Sequence, residues 1–531
     1  MRPLIARVLV LVAVHSPSLL AAQQHAHPAA AVGRLGTVHF PTSCRPAVAP
    51  EMDRAVALLH SFEFGAAIKT FNGVLLEDST CAMAAWGIAL SRWTNPMALG
   101  ARSAAALEPG RQAAATATRL AATATDRERG YITSVSQLFA DYEHVAQPTR
   151  IAAYERAMAG LVAAQPADTE AKIFHALSLV AAAAPSDKTY ANQLKAGAEL
   201  EAIWVKQPNH PGLAHYIIHA YDVPALADRA TAAAQRYADI APSAAHALHM
   251  PSHTFTRVGK WQESIKTNLR SIAAAMEEGA LAEALHASDY ATYAYLQLRN
   301  DTAAYAIVKG LPALTAKFDP AVVTGAAPGS AGVFALAAIP ARYALERRAW
   351  TEAAALEPKA SALLYPDAMT YFARALGASH VGNEALARAS IDSLAALRDR
   401  LLAKNEAYWG EQVAIQQLES HAWLDLVEGH STEGVTQMRE AAAREDATEK
   451  SAVTPGPLAP ARELLGDMLL ELKRPMEALK EYQATLAKEP GRFRSVYGAL
   501  QSAKAVGDKT NQTKYAAQLK KLTGSASYGR M

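Results

Sequence analysis

Strand-forming runs are scarce in this sequence. Val, Ile, Thr and aromatic residues nowhere gather in the sustained stretches a sheet needs, and aromatics make up only 7%. Alanine is abundant instead, which points to an all-α chain. A basic excess is missing too: Lys and Arg number 52 against 50 Asp and Glu, and Arg2 and Arg7 sit in an N-terminal leader, so the remainder balances. Nucleic-acid binders ordinarily declare a basic surplus or stripe, so no nucleic-acid partner is expected. No charge-free run of about 20 apolar residues follows the leader, and no membrane span is expected after signal cleavage. A Gly-rich phosphate loop, a His-Glu-x-x-His zincin sequence and a Gly-x-Ser-x-Gly elbow are all absent.

What is present is length and apolar surface. The chain has 531 residues, 51% hydrophobic and 19% charged, which excludes disorder. It also exceeds the roughly 250–300 residues at which one core stops growing, so several domains or a repeat array are implied. Residues 1–22 carry Arg2 and Arg7, an apolar stretch from Val8 to Val14 and a small-residue end at Ala21-Ala22. That is the layout of a secretory signal peptide, and it predicts a secreted or periplasmic protein. In such an oxidising compartment the only two cysteines, Cys44 and Cys81, are expected to form one disulfide.

An internal period sets the architecture. Pro208 and Pro242 lie 34 apart, and between them Ala214, Ile217, Ile218 and Tyr221 recur at helical spacing before a second helix through Ala230, Ala234 and Tyr237. The next unit places Gly259 at its turn, Trp261 just after it, and Ile265 and Leu269 inside. Other copies include Leu465, Gly466, Leu469, Ala478 and Tyr482 before Pro490, and Leu58 to Phe71 near the N-terminus. Between Pro166 and Pro208 the spacing is 42, so an insertion is expected around Pro185-Ser186-Asp187-Lys188.

These residues resemble the tetratricopeptide repeat family over most of residues 46 to 523. The resemblance implies an α-solenoid: a right-handed superhelix of helix–turn–helix repeats whose first helices line a concave groove. Leu58 to Phe64, Cys81 to Ala89, His210 to Asp222 and His246 to Phe255 look like secreted bacterial members of unassigned activity. Members often carry His-Pro where this chain has Asn95-Pro96 or Ser451-Ala452, so it lacks any ligands those positions would supply. Read this way, an extended segment occupies 23–45 and one repeat array 46–315. A loop or hinge spans 316–334, where Asp319-Pro320 and Gly325 to Ser330 break the rhythm, and a second array occupies 335–525. The polar run Glu445 to Lys450 reads as a solvated helix end.

The middle third concentrates histidine. His215 and His219 are four apart and share a helix face that Asp222 extends. His249 and His253 repeat the spacing, each 34 residues beyond its counterpart. Successive helices pack about 8–10 Å apart, a span two imidazoles could bridge through a metal bound at about 2.0–2.1 Å. His215, His219, His249 and His253 are therefore candidate ligands, with Zn²⁺ the candidate ion and Asp222 a further ligand or a support. Pro251 falls inside the second helix, which must kink there or begin there. His210, His246 and His286 lie nearby, followed by Asp289 and Tyr290. His60, at a helix end, reads as structural.

Two functions follow. The first is a binding scaffold with no catalytic residues, whose groove, walled by His215, His219, Asp222, His249, His253 and Tyr290, takes a peptide, protein or small ligand. The alternative is a zinc-dependent hydrolase, with Asp222 or Asp289 as general base if either lies beside the metal.

Overall fold

The computed structural model describes residues 33–524 except Ala101 and Ala362. The leader assigned to 1–22, and the start of the segment assigned to 23–45, lie outside the described residues.

The fold is an all-α solenoid. Among the described residues there is no strand; the helices follow one another as antiparallel pairs, from Ala49–His60 with Phe64–Glu77 to Phe493–Ala505 with Lys509–Thr523. Local chemistry marks several starts. Thr125 and Glu128 cap the helix Asp126–Gln137 reciprocally, and the Asp168 carboxylate accepts the Ala171 N–H at the head of Thr169–Ala181. Small residues facing aromatic ones let paired helices close up. A Cβ on Gly498 would lie 2.2 Å from the Tyr482 ring, so this ring needs glycine opposite it. The insertion expected near Pro185 is the loop between Thr169–Ala181 and Ala191–Trp204.

The array curls tightly. Helix Ala49–His60 touches Pro211–Ala220, four pairs further on, and Leu281–Gln297 touches Phe493–Ala505. The extended stretch from residue 33 crosses the first of these closures: Thr37 N–H donates to the Asn209 carbonyl (2.9 Å) and Ser243 N–H to that of Arg34 (3.3 Å). Cys44 and Cys81 form the expected disulfide, pinning this stretch to the head of helix Ala82–Trp93. One apolar core runs from Leu35 to Phe255 and takes in Ala326; another runs from Phe334 to Leu519. Because the turns of the array close on themselves, inner faces that an open groove would expose are buried.

Candidate functional site

The histidine helices meet at the centre of the first closure. Helix Pro211–Ala220 has Pro at its first position, where a missing N–H costs nothing, and is buried along its whole length. Its successor is interrupted: Ala245–His249 ends, Met250 stays in the right-handed helical region (φ −52°, ψ −35°), and Pro251–Arg257 resumes with Pro251 at its head. The chain thus ends one segment before the proline and starts another at it, with Met250 between them still helical. His249 and His253 remain on one face, their Nε2 atoms 3.1 Å apart.

His215, His219, His249 and His253 share one interior wall but do not make one set of ligands. The structure sorts them into two triads and adds a histidine to each: His215, His219 and His246, and His249, His253 and His286. Within each triad the ligand nitrogens lie within 4.8 Å of one another. None of the six side chains belongs to a residue more than 6% exposed. His246 was not nominated from sequence because it precedes His249 by three rather than four. His286 was not because it stands alone on Leu281–Gln297.

Hydrogen bonds fix how these rings present themselves. His249 Nδ1 is 2.7 Å from Asn268 Oδ1, and the amide cannot be turned around, because Asn268 Nδ2 donates to the Ser264 carbonyl at 2.7 Å. His253 Nδ1 is 2.9 Å from Asp222 Oδ2. Both partners accept, so both Nδ1 atoms carry the proton and both Nε2 atoms present lone pairs. Two lone pairs facing each other at 3.1 Å repel unless a cation or a proton sits between them. In the other triad His215 Nδ1 donates to the His60 carbonyl (2.6 Å) and His246 Nδ1 faces Glu283 Oε1 (3.0 Å), which leaves His246 Nε2 buried without a partner.

Burial lowers the proton affinity of most of these rings. It pushes His215, His219 and His249 well below their ordinary range, helped by the neighbouring imidazoles, and His286 down to about 3. It also lowers His253, against the pull of Asp222. Burial works against ionised Asp222, but Lys450, Arg257 and His253 outweigh it and hold the carboxyl well below its usual range.

The site residues other than histidine take up supporting places. Asp222 sits behind His253, bonded to Arg257 Nε at 2.9 Å and 3.6 Å from Lys450 Nζ. Asp289 does not reach the histidines; it pairs with Arg342 at 3.0 Å. Tyr290 faces inward, its hydroxyl 3.3 Å from His253 Nδ1 and bonded to the Ala452 and Thr454 carbonyls (3.0 and 3.1 Å). His60 is buried between Glu170 (2.8 Å) and Tyr216 (3.0 Å), and with Glu170 and His210 it forms another buried cluster of candidate ligands.

Of the residues expected on the groove wall, His219 and His253 line a cavity of about 40 Å³. His219, His246, His253 and His286 line it with Met97 and Met250. Three loops close it: residues 95–99, the 327–331 end of the predicted hinge, and 451–453. Asn95, Ser451 and Ala452 thus stand at the cavity, where the sequence resemblance would have put extra ligands. The run Glu445 to Lys450 is not a solvated helix end. Glu449 bonds Lys188 Nζ and the Tyr190 hydroxyl, both at 2.7 Å, and Lys450 turns in toward Asp222. A charged run reads as solvated only while its distant partners are unknown.

No family model matches the sequence, and no curated protein matches it. Among solved structures, the human IFIT1 dimer with m7Gppp-AAAA is similar over 90% of this chain and 96% of its own, at 10% identity and a TM-score of 0.39. The APC/C hetero-tetramer Cut9-Hcn1 is similar over 90% and 87%, at 10% identity and a TM-score of 0.35. At these values neither likeness says what this chain binds.

Proposed function

We propose that this helical-repeat scaffold is a transition-metal-binding protein, with His249, His253 and His286 as the donors of its primary site. The observation that carries the reading is the contact between His249 and His253. Both Nδ1 protons are committed to acceptors, so the 3.1 Å between the Nε2 atoms is left to a cation. Two ligands on a tetrahedral ion with bonds of about 2.0–2.1 Å stand about 3.3 Å apart, close to this separation. A proton could fill the gap only on His249 or His253, and burial lowers the proton affinity of both, that of His253 against the pull of Asp222. The carboxylate and amide behind the two rings are the supports that orient metal-bound histidines and raise their basicity. A bound ion would supply Lewis acidity or, for copper, one-electron chemistry.

Cavity size favours this reading over the peptide groove and the hydrolase. A space of about 40 Å³ takes two or three waters. Such a space suits an ion with its waters better than a peptide or the substrate a hydrolase would need.

The test uses untagged, metal-stripped protein titrated with Zn²⁺ and assayed for bound metal. Stoichiometric uptake and a raised melting temperature are expected, lost in His253→Ala. In Asn268→Ala, which frees the His249 ring, affinity should fall about 10–100-fold. Protein that takes up no metal, with melting unchanged by zinc or chelator, would overturn the proposal.

A further inference from the structure

We propose that the two histidine triads form one dinuclear centre selective for copper(I), its second ion held by His215, His219 and His246. The proposal rests on the metal-binding reading above and extends it to stoichiometry and to the identity of the ion.

The second triad shares features of the first. The His60 carbonyl takes the His215 Nδ1 proton, so His215 Nε2 presents a lone pair, 3.1 Å from His219 Nε2. Glu283 stands behind His246 as Asp222 stands behind His253, and the free His246 Nε2 has no other partner in the protein. A buried imidazole nitrogen left unmatched is costly unless something binds it. The triads adjoin. The His246 and His249 ring centres are 5.9 Å apart, those of His219 and His253 6.1 Å, and rings from both triads line the same cavity.

Charge and softness choose the ion. Neither triad contains a carboxylate; Asp222 and Glu283 each lie behind an imidazole. Asp222 is already matched by Arg257 and Lys450, which leaves Glu283 as the carboxylate beside the triads that no Lys or Arg matches. Two divalent ions would bring four positive charges into a buried site with neutral donors, and two monovalent ions bring half as many. Uncompensated buried charge is what protein interiors tolerate least. Beside the oxygens of Asn95, Ser330, Ser451 and Tyr365, the cavity wall carries the thioethers of Met97 and Met250, and thioether sulfur selects copper(I). Both cysteines are closed in the disulfide, so no thiolate competes.

The experiment is an anaerobic titration of metal-stripped protein against a chromogenic copper(I) chelator, with Zn²⁺ in a parallel arm. Two copper(I) ions per chain are expected in the native sequence. His246→Gln should bind one and keep the His249–His253–His286 ion, with its circular dichroism unchanged. Met250→Leu conserves volume and should weaken copper(I) by about tenfold or more while leaving Zn²⁺ affinity within about twofold. One ion per chain in the native protein, or equal loss of both metals in Met250→Leu, would overturn this inference and leave the single-site reading standing. No uptake of either metal would overturn that reading instead.

Discussion

An imidazole kept neutral in a protein interior makes stability depend on pH, and here several act in the same direction. Burial lowers His215, His219, His249, His253 and His286 from the ordinary value of 6.5, and His286 falls to about 3. Below the ordinary value the unfolded chain therefore binds more protons than the folded one. Stability from these groups is present above about pH 6.5 and is lost as the pH falls toward the folded values. Each contributes a slope of up to about 1.4 kcal/mol per pH unit over its window. The urea midpoint of the metal-free protein should drop steeply between about pH 7 and pH 5, and less steeply in His286→Gln. A midpoint that stays flat across that range would mean that these rings are solvated. The sequence discloses the spacing that puts His215 beside His219, but not what each Nδ1 touches. Asn268, Asp222, Glu283 and the His60 carbonyl come from other helices and turns, and they decide that these rings present lone pairs.

Helix pairs were legible because each carries its own pattern: the 34-residue spacing of Pro208 and Pro242, the Gly259 turn, and Gly466 facing Tyr482. Pro251 was legible as a disturbance, though not in its outcome. Whether a proline kinks or restarts a helix depends on what the flanking turns pack against, and here both segments are wholly buried. The link between the N-terminal stretch and the first pairs was legible from cysteine count alone. Closing 37 residues with the Cys44–Cys81 bond should stabilise the fold by about 3–4 kcal/mol through the entropy of the unfolded chain. The Cys44→Ser/Cys81→Ser double variant should lose that much in urea unfolding. It should also become more sensitive to protease near residue 44, where the Arg45 and Ser43 amides still bond Asp78 and Glu128. An unchanged midpoint would show that the unfolded chain is already compact around this loop.

At the scale of the molecule, the closure of the array narrows an expected groove to a small cavity, and one of the segments that wall it comes from far along the chain. Residues 447–460 leave helix Ser431–Asp446 and reach back to the histidines. Arg342 is the hub of that contact. Fully buried, it pairs with Asp289 on Leu281–Gln297 and donates to the Pro457 and Gly456 carbonyls and to Thr454 Oγ1 (3.1, 3.3 and 3.2 Å). Tyr290, next to Asp289, bonds the same segment and His253, so the segment and the candidate centre share supports. Nothing local in the sequence joins Arg342 to Gly456, so this contact could not be read from spacing. Arg342→Met keeps the apolar stem but leaves Asp289 buried without its cation, a loss of about 3–5 kcal/mol. Arg342→Lys keeps the charge and loses the fork, and should fall between the native protein and Arg342→Met. Hydrogen exchange within 447–460 should quicken from native to Lys to Met, and bound metal should dissociate faster in step with it, because the segment walls part of the cavity beside the candidate centre. If protection there does not change in Arg342→Met, the segment is held by the Lys188–Glu449–Tyr190 contacts instead.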